Sequence, residues 1–121
     1  MLLVTSNKLK RLLYVSFIGR VEPEEFKRGQ EELKMLLADL SPVFRLLVDF
    51  ERLEFMEPAC AAEIGVSMEL IDQSGVELVV RVIPDPSKDI GMNILTIFHY
   101  ANRPRIVTCE NLIEAAKVLA L

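Results

Sequence analysis

Positive charge is scarce in this sequence. Its 14 lysines and arginines face 18 aspartates and glutamates, for a formal net charge of −4. No basic field gathers phosphates, so nucleic acid is not expected as a partner. A bare anionic membrane surface is not expected either. Cysteine is nearly as rare. Cys60 and Cys109 are too few for a disulfide framework and form no C-x-x-C pair, so both are expected reduced in a cytoplasmic protein. A single histidine, His99, has no second imidazole with which to share a metal. No apolar run approaches the roughly 20 residues that cross a bilayer, so no membrane insertion is expected. The apolar start at residues 1–4 is too short for a signal-peptide core, and basic residues follow it rather than precede it. The glycines show no phosphate-cradling spacing.

What is present is apolar side chain, 51% of 121 residues, enough for one sizeable core. With no repeat, linker or low-complexity stretch, residues 1–121 are expected to form a single domain. Residues 2–5 and 9–18 read as two strands of a hairpin, closed by Gly19. Pro23 suits a first helical position, and Glu24 and Glu25 sit where the helix dipole favours negative charge. Phe26, Leu33, Leu36, Leu37 and Leu40 then share one helical face until Ser41-Pro42.

Residues 43–50 form an almost continuous apolar run broken by Arg45, the pattern of a central strand covered on both faces. A short turn is expected next, then a helix from Pro58 with Ala61, Ile64, Met68 and Ile71 inward. Ser74-Gly75 stops it. Residues 76–83 are β-rich. A third helix is expected over residues 87–101, a short strand over 105–108, and a last helix starting at Thr108 or Cys109. The order β-β-α-β-α-β-α-β-α predicts an α/β fold of about five strands and about four helices. The sheet should be mixed but mostly parallel, with the first strand antiparallel at an edge.

Leu47-Val48-Asp49-Phe50, then Leu53 and Phe55-Met56, then a helix, then Ser74-Gly75-Val76-Glu77-Leu78 resembles a STAS domain, the fold of anti-sigma factor antagonists and of sulfate-transporter tails. Gly19 and the closing run 111–116 resemble further family features, and the similarity covers most of the chain. It implies a sheet packed with helices that works as a switchable binding module. In antagonist members the turn before the second helix carries an aspartate, two serines and a glycine. A partner kinase phosphorylates the second serine, which abolishes binding. The matching positions here are Glu57, Pro58, Ala59 and Cys60. Ala59 has no hydroxyl, so the site is degenerate and the family's switch is not expected to transfer.

Three other groups invite chemistry. Cys60, in the first turn of a helix after a strand, has the placement of a nucleophile. No arginine follows to clamp a phosphate, and Glu57 and Glu63 oppose a thiolate, so it reads as a packing residue. His99, late in the third helix, has no nucleophile near in sequence and reads as a helix-end dipole contact. Asp49, Glu51, Glu54 and Glu57 crowd a strand exit, but Arg52 sits among them and calcium-loop spacing is absent, so they read as a solvated acidic loop.

The expectation is a non-enzymatic bacterial regulatory module with neither cofactor nor metal. Its contact surface would comprise Glu57, Pro58, Ala59, Cys60, Ala62, Glu63 and Val66. The partner would be an anti-sigma factor, a kinase-like protein, another STAS protein or a second copy. The alternative is a small-ligand module for a nucleotide or apolar molecule, with a pocket between the third helix and the sheet.

Overall fold

The computed structural model describes residues 1–85, 95–96 and 99–121. Five strands, β1 Leu2–Asn7, β2 Leu12–Val21, β3 Phe44–Met56, β4 Val76–Val82 and β5 Arg105–Cys109, form one sheet in that spatial order. β1 pairs antiparallel with β2, and the other three pairings are parallel. Among the described residues the complete helices are α1 Pro23–Asp39, α2 Cys60–Gln73 and α3 Leu112–Leu119. This is the mixed, mostly parallel α/β architecture expected. The third helix expected over residues 87–101 lies largely outside the described residues. Within it Leu95, Thr96 and His99 are helical. The Tyr100 N–H donates to the Thr96 carbonyl at 3.1 Å.

The antiparallel pair needs only a tight turn, which Asn7 closes by accepting the Lys10 N–H at 3.1 Å on its side-chain oxygen. Parallel neighbours need crossovers, and α1 and α2 supply those of β2–β3 and β3–β4. Alternation along the strands sorts side chains to two faces. Leu13, Val15, Phe17, Leu46, Val48 and Val79 meet Phe26, Leu33 and Leu37 of α1 and Ile64, Met68 and Ile71 of α2. On the opposite face Leu12, Leu47, Val80, Val82 and Cys109 meet Ala115 and Leu119 of α3. Each buried valine, leucine, isoleucine, phenylalanine or methionine among them contributes about 1.5–3 kcal/mol relative to exposure. Cover on both faces is the reason β3 reads as continuous apolar sequence.

Arg45 interrupts that run for a structural purpose. Its Nη1 donates to the Leu119 carbonyl at 2.6 Å and its Nη2 to the Lys10 carbonyl at 3.0 Å. The guanidinium therefore ties the last turn of α3 to the first hairpin. A buried cation, Arg81, donates to the hydroxyls of Thr96 and Thr108.

Several expected boundaries shift. Gly19 lies inside β2 rather than at its end, next to a change of register, with a left-handed φ of 65°. α2 starts at Cys60 rather than Pro58, and Cys60 replaces Ala61 on the inward face while Ala61 is exposed. Thr108 and Cys109 finish β5 instead of starting a helix. Asn111 caps α3 by accepting the Glu114 N–H.

Candidate functional site

The main departure from the sequence reading is the length of β3. No short turn follows Phe50. The strand continues through Met56, well past the end of β4, and pairs with β2 up to Val21↔Met56. Two irregularities in that register, after Ser16 and after Gly19, let the β2–β3 arm twist away from the rest of the sheet. The arm delivers the chain to the start of α2.

The approach to α2 is built from backbone turns. The Glu57 N–H donates to the Val21 carbonyl, and the Glu57 and Pro58 carbonyls accept from Cys60 and Ala61 at 2.9 and 3.1 Å. Ala59 is the N-cap, in helical backbone geometry, and no side chain caps the helix. A serine, threonine or aspartate at a helix start typically bonds an orphan N–H group; alanine leaves those donors to water or a partner.

Around this corner Pro58, Ala59, Ala62 and Val66 are exposed, and Glu57 and Glu63 are partly exposed. Glu63 accepts from the Gln30 amide of α1 at 3.0 Å. Glu57 lies 4.0 Å from Arg20, whose guanidinium sits 4.7 Å from the centroid of the exposed Phe55 ring. An exposed pair of that kind contributes about 0–1 kcal/mol, so it orients side chains more than it stabilises the fold. Arg20 and Phe55 were missed from sequence because only the shifted β2–β3 register places them opposite each other.

Cys60 departs from the expected surface set. It is fully buried, with its Sγ 3.7 Å from the Val21 carbonyl. Burial first, and then the charge of Glu57, push its thiol pKa up. A buried, protonated thiol is a poor nucleophile. The other expected residues, Glu57, Pro58, Ala59, Ala62, Glu63 and Val66, lie together on one corner.

The acidic group does not form the expected loop. Asp49 is buried, accepting the Tyr14 hydroxyl at 3.1 Å and the Glu51 N–H at 2.9 Å. Burial raises the Tyr14 pKa, the Ser16 hydrogen bond opposes this, and Asp49 adds to the rise. Glu51 and Glu54 are exposed on the β3 arm. Among the described residues no cluster of histidine, cysteine, aspartate and glutamate is arranged to hold a metal ion.

His99 makes a contact that its sequence context does not reveal. Its ring lies against Gly65 of α2, where an added Cβ would come within 2.6 Å of Nε2, and its Nδ1 is 3.0 Å from the Glu69 carboxylate. It is the last helical residue before Tyr100, at a helix end as expected, and it also packs on α2. Just beyond, Asp72 is buried and accepts the Asn102 N–H.

No protein-family model and no curated protein sequence matches this chain. Solved structures do match. A protein with a SpoIIAA-like fold from Shewanella loihica aligns at a TM-score of 0.72 with 14% identity, over 98% of this chain and 92% of that one. The unphosphorylated anti-sigma factor antagonist SpoIIAA aligns at 0.63 with 15% identity, over 99% and 98%. Its phosphorylated form from Bacillus aligns at 0.63 with 10% identity, over 98% and 99%. An anti-sigma factor antagonist from Mycobacterium paratuberculosis aligns at 0.59 with 18% identity, over 100% and 94%. At these identities the likeness is one of fold, and that fold is the SpoIIAA-like, STAS one. Among the described residues no helix is long and apolar enough to cross a membrane.

Proposed function

We propose that this chain is a single-domain, cytoplasmic, non-enzymatic regulatory module that docks another protein at the start of α2, with no phosphoswitch there. The observation that carries the reading is Ala59. It stands exposed at the N-cap of α2 with no hydroxyl. SpoIIAA, whose fold this chain shares, occurs in phosphorylated and unphosphorylated forms. Supporting it, Pro58, Ala59, Ala62 and Val66 form a small exposed apolar surface beside Glu57 and Glu63. A fixed alanine corresponds to the unmodified state, so binding is constitutive or controlled elsewhere. The partner class is a regulatory protein: an anti-sigma factor, a kinase-like protein, or a STAS protein including a second copy.

The test uses kinases encoded near this gene, each incubated with the chain and ATP. Intact mass should show no added phosphate, while sedimentation shows a complex that Val66→Asp abolishes. Stoichiometric phosphate on residues 57–67, where Ser67 is the only hydroxyl, refutes the fixed state. A complex unaffected by Val66→Asp and Ala62→Asp refutes the docking corner.

A further inference from the structure

Where β3 outruns β4, its side toward β4 is left open. The last pair there is Asp49↔Val82, and among the described residues no strand runs beside 50–56 on that side. A cavity of about 220 Å³ occupies the space. Phe50, Leu53 and Met56 of the β3 arm, Ile64 of α2, and Ile83 just after β4 form its apolar walls. Phe50 is held by stacking on Phe17, with ring centroids 4.7 Å apart, so this wall is in place before anything binds. The groove adjoins the docking corner, because Met56 precedes Glu57 and Ile64 shares the first two turns of α2 with Ala62 and Val66.

The rim is acidic. Glu51 and Asp85 line the groove and are exposed, and Glu54 is exposed on the same arm. Glu51 forms no ion pair among the described residues. The basic residues of this region are placed elsewhere. Arg52 lies within electrostatic reach of Tyr14, which packs with the cluster under α3. Arg20 sits against Phe55 and Glu57.

We propose that this groove takes one aromatic side chain of the docked partner, with a lysine or arginine beside it in the partner's sequence. The inference deepens the docking reading and rests on it for the occupant being a protein. Size follows from the volume: a cavity of about 150 Å³ takes the six heavy atoms of benzene, so one of about 220 Å³ takes roughly nine. That suits the ring of a phenylalanine or tryptophan and exceeds what a leucine fills. A large aromatic anchor in a desolvated pocket is the usual form of an interface hot spot. Charge follows from the rim: a cation beside the ring stays near water opposite Glu51, where it steers and orients the segment.

The test titrates the isotope-labelled protein with a capped five-residue peptide that has one phenylalanine between two arginines. Methyl shifts of Leu53, Met56, Ile64 and Ile83 should saturate together, with NOEs from the peptide ring to the Ile83 methyls. Alanine in place of the phenylalanine should weaken binding at least tenfold. Glu51→Gln should weaken the arginine peptide about two- to fivefold. Leu53→Trp, which fills the groove, should remove both peptide binding and the partner complex, whereas Val66→Asp should remove only the complex. Absence of saturable shifts at these methyls in the wild type overturns the site. Equal affinity for the phenylalanine and alanine peptides overturns the aromatic anchor, and equal affinity when glutamates replace the arginines overturns the charge. Indole binding as tightly as the peptide overturns the protein occupant in favour of a small molecule. If Leu53→Trp does not fold, wild-type NOEs that miss Ile83 and Met56 overturn the site instead. A complex that survives Leu53→Trp but not Val66→Asp overturns the groove and leaves the docking corner standing. Saturable peptide binding with a complex indifferent to Val66→Asp does the reverse.

Discussion

Two helical glycines make a controlled pair, because the same added methyl should have opposite effects at each. Gly29 lies inside α1, and a Cβ there would meet only Leu2 Cδ2 at 3.6 Å, an ordinary contact. Gly29→Ala should therefore express the full helix-propensity gain of about 1 kcal/mol. Gly65 lies inside α2, and a Cβ there would sit 2.6 Å from His99 Nε2 and 2.7 Å from Cε1. The ring would have to leave, taking with it the 3.0 Å contact to Glu69. Overpacking costs about 1–3 kcal/mol, and the partly exposed His99–Glu69 contact adds at most about 1. Set against the propensity gain, Gly65→Ala should destabilise by about 1–2 kcal/mol. Removing the ring reverses the sign: in a His99→Ala background Gly65→Ala should stabilise. The coupling energy from that double-mutant cycle should be about 2 kcal/mol. Urea denaturation with an unchanged m-value measures all four variants. A Gly65→Ala protein as stabilised as Gly29→Ala, with His99 present, would refute the packing of His99 on α2.

Arg45→Met should cost about 2–3 kcal/mol by removing two charge-assisted bonds to carbonyls. Amide exchange should accelerate most in α3, whose last turn Arg45 holds. Val66→Asp, at a position 44% exposed, should change stability by less than about 0.5 kcal/mol while abolishing partner binding. Both buried thiols have folded-state pKa values raised above the unfolded ones, chiefly by burial. Their contribution to stability is therefore complete below the unfolded thiol pKa and declines as pH rises through and beyond it. The Cys60→Ala/Cys109→Ala protein should show a shallower loss of unfolding midpoint between pH 8 and 10. Iodoacetamide should modify the wild type only under unfolding conditions, as read by intact mass.

The fold was largely legible because its signals are local and repeated. Phe26, Leu33 and Leu37 mark one face of α1, and the apolar run around Leu46–Val48 marks a strand covered twice. Helices between strands force parallel pairing. The contact corner was legible in part. Ala59 at the helix start was visible through the resemblance, and its exposed neighbours followed from helical phase. Only the first inward position of α2 was misplaced, at Ala61 instead of Cys60, while Ile64, Met68 and Ile71 are buried as expected. Apolar character alone does not separate two adjacent small residues. The turn expected after Phe50 failed because Glu51, Arg52 and Glu54 read as solvated loop. An exposed strand arm carries the same polar residues whenever it pairs along its edges and packs little on its faces.

By itself, the sequence determined most of the inward side chains of α1, α2 and β3, the order of the described strands and helices, and the missing hydroxyl at residue 59. These follow from a repeat of two or of about 3.6 residues, and from the chemistry of one side chain. Tertiary structure decided how far β3 runs, where the His99 ring rests and what Arg45 holds. Each of those depends on surfaces brought together across tens of residues, where a gap or an opposing strand leaves no mark on local periodicity.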